Sequence, residues 1–268
     1  DPSAALRMVG VTGTNGKTTI TWLIWQLLNR AERRCGLVGT VVIDDGREVA
    51  SATMTTPPAV DLSWTLANMV EAGCQAVVLE ASSHALHQHR VGALDFDVAV
   101  FTNLTQDHLD YHQTMEHYAA AKARLFAMLP PSGTAVVNAE DPAHARMLRD
   151  CKARAVLCTR TAGEPAGDAQ SAQVRIDRVS MHGMNLDLAG PFGRVSGEVP
   201  LIGAYNAMNV LQAVEATGAS DRTVTAFFTD HGEYLGDYGL VEKWPSGLHD
   251  CLLRNPLVMA GPGIEARA

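Results

Sequence analysis

Residues 7–20 read "RMVGVTGTNGKTTI", and the reading of this stretch decides the fold. Arg7–Val11 is a short apolar strand that runs straight into a glycine-rich turn. The turn ends in Gly16-Lys17-Thr18-Thr19 and opens a helix, since Ile20, Leu23, Ile24, Leu27 and Leu28 repeat at i, i+3, i+4, i+7, i+8. A strand, a glycine turn and a helix N-terminus in this order form a cradle for phosphate: backbone N–H groups turn toward the anion and the helix adds its positive end. Lys17 is placed to reach the outer phosphates, and the Thr18 hydroxyl to meet Mg2+. Val11 stands where the commoner G-x-x-x-x-G-K spacing has its first glycine. A glycine turn with no ligand is the simpler alternative, but four features in register favour nucleotide.

Working outward, apolar strands alternate with helical patterns. Strands are expected at 36–43, 76–81, 97–103, 134–138 and 154–158, with helices near 60–72, 114–129 and 141–150. Val- and Leu-rich strands separated by helices predict an α/β fold, a mostly parallel P-loop sheet with helices on both faces. In such sheets the sites lie at the carboxyl ends of the strands. From about 160 the texture changes. Residues 161–173 read as a loop, 174–200 as short antiparallel strands forming a small β subdomain, and 204–217 as helix again.

The 268 residues carry a formal charge of −8, with 47% hydrophobic and 19% charged residues. That balance argues against nucleic acid and anionic membranes as partners. No apolar run approaches the roughly 18–20 residues a bilayer span needs, and the first residues lack a signal-peptide layout. Five scattered cysteines, never spaced C-x-x-C, read as free thiols in a reducing compartment.

Two further strand ends carry polar groups. Glu80 closes "VVLE", and "NLTQDHLDYH" offers Asn103, Asp107, His108, Asp110 and His112. A carboxylate and an imidazole from neighbouring strand ends suit Mg2+ beside the phosphate loop, with loop polarity and capping as the plainer reading. The spacing suits zinc poorly. In the helix 114–129, Lys122 shares a face with Met115, Tyr118, Leu125, Phe126 and Leu129. An inward lysine either snorkels to the surface or does chemistry.

Taken together, "GTNGKTT", "TTPP", "EASSHALHQHRV" and "NLTQDHLDYHQTMEHYAAAK" resemble the Mur ligase family over roughly residues 7–217. The closest likeness is to the members that add a diamino acid, meso-diaminopimelate or L-lysine, in the third addition step. The resemblance implies an ATP-dependent amide ligase of peptidoglycan precursor synthesis. Its partners would be UDP-N-acetylmuramoyl-L-Ala-D-Glu and the diamino acid, in the cytoplasm of a bacterium and as a monomer. It implies that Gly13, Thr14, Asn15, Gly16, Lys17, Thr18 and Thr19 hold ATP, with Asn206 and Asn209 near the adenine. Thr55, Thr56, Ser82, Gln88 and Arg90 would contact the muramoyl-dipeptide. Thr18, Glu80 and His108 would bind Mg2+. Lys122 would carry a carbamate made with CO2 and act as a further metal ligand, which would account for its inward face. Lys17, His108 and Lys122 are thus the expected catalytic groups. Met54 departs from the family, where an asparagine often precedes the threonine pair.

The resemblance covers one domain, 1–217, of a three-domain architecture. Residues 218–268 are expected to be a foreign segment: "TVTAFFTDHGEYLGDYGLVEKW" resembles a C-terminal piece of the sulfatase family, where Asp230 and His231 would bind metal and Lys243 the sulfate ester. The nucleophile motif of that family, Cys or Ser followed by x-Pro-x-Arg, is absent from the sequence. Three readings therefore compete: a ligase, a catalytically incomplete ATP-binding module, and, least favoured, a sulfatase- or phosphatase-type hydrolase.

Overall fold

A computed structural model describes residues 1–160 and 170–217, together with the backbone of 225–228 and 257–260. In chain order, β1 (Arg7–Thr12) leads through the glycine loop into α1 (Lys17–Arg30), then β2 (Cys35–Val38), β3 (Val42–Asp44), β4 (Val49–Ser51) and α2 (Ala59–Glu71). Next come β5 (Ala76–Glu80), α3 (Ser83–His87), β6 (Val98–Phe101), α4 (Leu109–His112), α5 (Met115–Ala127), β7 (Thr134–Asn138), α6 (His144–Leu148) and β8 (Arg154–Thr159). They are followed by β9 (Gln170–Val179), β10 (Met184–Gly190), β11 (Gly193–Val199) and α7 (Ala204–Ala216), and then by an antiparallel pair, β12 (Thr225–Phe228) and β13 (Leu257–Ala260).

One eleven-stranded sheet runs β11-β10-β9-β8-β7-β6-β1-β5-β2-β3-β4. Its middle is parallel, from β2 through β5, β1, β6, β7 and β8 to β9. Parallel strands are covered on both faces, and β5 and β6 are accordingly buried at every position. Alternate residues of β1 feed two cores. Val9 and Val11 pack with Ile20 and Ile24 of α1 and Leu211 of α7. Met8 packs on the other side with Leu66 of α2 and Leu125 and Phe126 of α5. Gly10 faces the second core so closely that a Cβ there would lie 2.9 Å from Leu125 Cδ1 and Phe96 Cε1.

Several expectations need correction. Residues 36–43 are not one strand: β2 ends at Val38 and β3 returns antiparallel to it. The reversal is closed by Gly39 N donating to Val42 O at 3.1 Å. Gly39 passes against a buried side chain, since a Cβ there would sit 2.7 Å from Glu80 Oε1. The expected loop 161–173 gives way to strand at Gln170, where β9 finds a partner in β8. The expected helix 141–150 is a single short turn, His144–Leu148. The expected antiparallel strands are present as β9–β11, and they extend the main sheet, because β9 pairs parallel with β8 and antiparallel with β10. Lys122 does not snorkel: it is 1% exposed.

Candidate active site

The loop between β1 and α1 has a shape that only glycine permits at two points. Gly13 has φ 148°, and a Cβ there would fall 1.8 Å from Thr102 Oγ1. Gly16 sits left-handed at φ 88° as the cap of α1, and its missing Cβ leaves room for Asn209 Oδ1. The end of β6 straps the loop down. Thr14 N donates to Asn103 O at 2.9 Å, and Asn15 N to Asn103 Oδ1 at 3.0 Å. The Asn15 carbonyl accepts from Thr102 Oγ1 at 2.6 Å and from Asn103 Nδ2 at 3.0 Å. Lys17 arches back over the loop, its Nζ donating to the Gly13 and Thr14 carbonyls at 3.1 and 2.9 Å. Burial pulls its pKa down, against the opposing pull of Glu80 and Asp107. Thr19 lies half-buried in the first turn of α1.

Glu80 ends β5 fully buried and collects three donors. Thr18 Oγ1 donates to Oε2 at 3.1 Å, Thr40 Oγ1 to the same oxygen at 3.0 Å, and Thr40 N to Oε1 at 2.8 Å. A buried carboxylate touching the hydroxyl that follows Gly16-Lys17 fits Mg2+ of the phosphate-loop kind. Such an ion takes one or two carboxylates, keeps waters, and is completed by substrate phosphates, so it needs no cage of protein ligands. Among the described residues no group of three His, Cys, Asp or Glu could hold a metal by itself.

His108 approaches from elsewhere. It sits left-handed at φ 51°, edge-on to His84 at 4.9 Å and to Tyr118 at 6.1 Å between ring centroids, with Asp107 Oδ2 3.5 Å from its Nε2. It forms no hydrogen bond with Glu80, so the structure joins Thr18 to Glu80 but leaves His108 in the neighbouring imidazole cluster.

Lys122 lies beneath the loop. Its Nζ donates to Gly13 O at 2.7 Å and stands 4.3 Å from the Tyr118 ring centroid. Both lysines thus reach the same carbonyl. Burial first, and then the Lys17 charge, push the Lys122 pKa well below its ordinary value, with Asp107 opposing.

The residues expected to hold the dipeptide converge beside Glu80. Thr56 Oγ1 donates to the Glu80 carbonyl at 2.6 Å and accepts from Ser82 N at 3.1 Å. Ser82 Oγ, 3.2 Å from Thr56 Oγ1, caps α3 through Ala85 N. Gln88 Oε1 receives Arg90 Nε and a terminal guanidinium nitrogen at 2.9 and 2.6 Å. Arg90 also donates to the Thr56 carbonyl at 2.9 Å and lies 3.5 Å from Met54 Sδ. Thr55 Oγ1 lies 3.1 Å from Thr40 Oγ1, whose one proton is engaged by Glu80. Asn206 and Asn209 pair at 3.0 Å, one turn apart on α7.

Thr40 escaped the sequence reading. It links the buried carboxylate to Thr55, and a polar residue after Gly39 at a strand end was the available signal. The Tyr118 hydroxyl, 3.2 Å from Thr14 Oγ1, was hidden by the helical periodicity that marked Tyr118 as core. Asp230, His231 and Lys243 lie outside the described residues. Cys35, Cys74, Cys151 and Cys158 are free thiols.

With this geometry in hand, comparison with known proteins finds the Mur ligase middle domain over residues 11–217. The UDP-N-acetylmuramoyl-L-alanyl-D-glutamate–2,6-diaminopimelate ligase of Bacillus licheniformis is 40% identical over 228 residues, 82% of this chain and 45% of that protein. The ligase of the same description from Geobacter metallireducens is 42% identical over 224 residues, 81% of this chain and 42% of its own. The chain therefore spans less than half the length of these curated relatives. A solved structure of a ligase with this description matches with TM-score 0.66 and 33% identity, covering 80% of this chain and 43% of its own. A folylpolyglutamate synthase of Mycobacterium tuberculosis, complexed with ADP, shares the fold at TM-score 0.59 and 19% identity, covering 81% and 55% of the two chains. No helix among the described residues is long and apolar enough to cross a membrane.

Proposed function

Because this chain belongs to the Mur ligase family, we propose that it is the nucleotide-binding part of an ATP-dependent amide ligase that extends UDP-N-acetylmuramoyl-L-Ala-D-Glu with a diamino acid. Diaminopimelate is the favoured diamino acid, since the relatives at 40% and 42% identity are described as ligases for it. The observation that carries the proposal is the double convergence on Glu80. Its carboxylate receives Thr18 from the phosphate loop, and its carbonyl receives Thr56 from the expected dipeptide side. One residue thus spans the place where a phosphoryl donor and a carboxylate acceptor would meet.

In this reading the free glutamyl carboxylate takes the γ-phosphoryl group of ATP, and the incoming amine attacks the acyl-phosphate and expels phosphate. Lys17 swings from its loop carbonyls to the transferred phosphoryl group and neutralises charge there. Arg90, tied in plane by Gln88, offers its fork to acidic oxygens of the muramoyl-dipeptide. Asn206 and Asn209 border the loop where the nucleoside would leave it. Mg2+, when bound by Thr18 and Glu80 with His108 nearby, supplies positive charge to the phosphate oxygens. Lys122, buried beneath the loop, is the proposed carbamate site. The carbamate would exchange a donor for an anionic oxygen ligand.

The test is incubation with Mg-ATP, UDP-N-acetylmuramoyl-L-Ala-D-Glu and meso-diaminopimelate or L-lysine, reading phosphate release and the amide product by mass spectrometry. Amine-dependent product supports the ligase. The span of less than half of the relatives favours a second reading, an ATP-binding module that needs further domains to turn over. ATP binding with no product in any amine would establish that reading for this chain.

A further inference from the structure

On the far side of α5 from the phosphate loop is a cleft of about 290 Å³, bordered by α3, α4 and α5. None of its lining residues is among those assigned to ATP, Mg2+ or dipeptide above. Its polar groups are His87, Tyr111, His112, Gln113, His117 and Arg124, and no carboxylate lines it.

Hydrogen bonds tie several of these groups together. The Tyr111 hydroxyl accepts from Gln88 Nε2 at 3.0 Å and lies 2.9 Å from His87 Nδ1. His117 Nδ1 faces the His112 carbonyl at 3.2 Å, and a carbonyl can only accept, so that nitrogen is protonated. Arg124 uses one terminal nitrogen on the Leu86 and His87 carbonyls at 3.2 and 3.0 Å, with His89 Nε2 3.4 Å from the same nitrogen. Its Nε and other terminal nitrogen have no partner among the described residues. His112 is 4% exposed and its Nε2 has no partner among the described residues, while burial and the surrounding imidazoles push its pKa down to about 4.

We propose that this cleft binds a small oxyanion, a phosphate or carboxylate group, against the Arg124 guanidinium, with the Gln113 amide as a further donor and the His87 ring on its wall. A fixed guanidinium with free hydrogens in a wall without carboxylates is matched by an anion and repels a cation. Metal is further disfavoured because the imidazoles do not converge as ligands. The volume is at the lower edge of small-molecule sites, which run from about 300 Å³, so the occupant is a single small molecule. The small side chains of Ala120 and Ala121 line it as well. The site stands whether or not the ligase reading holds. His112, whose ring lies against Tyr118 at 5.2 Å between centroids, connects it physically to the hydroxyl that meets Thr14.

The experiment is a histidine-ring NMR titration of the full chain with sodium phosphate and, separately, sodium acetate, at constant ionic strength with chloride as control. The rings of His87 and His117 act as local reporters, so phosphate entering the loop at Lys17 is not mistaken for binding here. The site predicts saturable shifts at both rings. Arg124→Gln is expected to weaken the affinity at least tenfold. Because Arg124 also holds the end of α3, Ala120→Leu serves as a second variant that fills the cleft without removing a donor, and it should abolish the shifts. Response to phosphate alone assigns a tetrahedral dianion, and response to both anions assigns the wider carboxylate class. Absence of saturable shifts with either anion, or an unchanged response in both variants, overturns the proposal.

Discussion

Two buried glutamates mark the two halves of the sheet. Glu80, at the end of parallel β5, is fully buried yet surrounded by three donors from Thr18 and Thr40. Glu215, on α7 over the antiparallel extension, is 7% exposed and its Oε1 has no partner among the described residues. That oxygen faces Gly190 of β10 so tightly that a Cβ there would lie 2.4 Å away. Burial drives the Glu215 pKa up to about 7, with only Arg154 opposing. Burial alone therefore does not make a site. Glu80 has donors assembled at strand ends to satisfy its oxygens, whereas Glu215, without them, is pushed toward its protonated form by burial.

The comparison can be broken most severely at the phosphate end. Lys17→Ala removes the cation that the loop presents, and ATP-dependent phosphate release in the assembled ligase should fall by about 10²–10³; a smaller loss, with folding intact by circular dichroism, would detach the loop from the chemistry. Gly13→Ala forces a Cβ into Thr102 at positive φ. Overpacking and backbone strain together should cost about 4 kcal/mol in denaturant unfolding and remove nucleotide binding.

On the antiparallel side the sharpest probe is pH. The folded Glu215 pKa lies above its unfolded value of 4.5, so the folded state holds the proton more tightly. The stabilisation is complete below the unfolded pKa and is lost as pH rises toward about 7. Glu215→Gln should flatten that decline and be more stable than the parent at alkaline pH by about 3 kcal/mol. Thermal melts of both proteins across this window read it directly. The smallest effect belongs to the exposed pair Arg175–Asp187 on β9 and β10. Arg175→Ala should leave the thermal melt almost unchanged, as expected for a solvent-screened surface ion pair.

Much of the parallel half is legible in sequence because burial on both faces writes continuous apolar runs. Residues 134–138 coincide with β7, and all five apolar residues expected on α1 are buried. The hairpin at Gly39 was marked in sequence only by Gly39-Thr40 between two apolar runs, and the close approach of Glu80 from another strand, which favours glycine there, leaves no local trace. Likewise β9 starts at Gln170 because β8 supplies a partner, which local propensity cannot register. Within the site, glycine spacing exposed the loop, while the inward face of Lys122 was visible only as an anomaly. The donors that explain Glu80 come from Thr18 and Thr40, 62 and 40 residues away in the chain, a distance that no local pattern spans. Tyr118 shows the converse: its periodic position was legible, and its hydroxyl contact with Thr14 was not.

The central claim is that Glu80 joins the phosphate loop to a Mg2+ and nucleotide site. Calorimetric titration of ATP into the chain, with and without Mg2+, tests it against Glu80→Gln, which keeps the shape but removes the charge. The account predicts that Mg2+ strengthens ATP binding in the parent protein and that this strengthening disappears in Glu80→Gln. An equal Mg2+ response in the two proteins would contradict it.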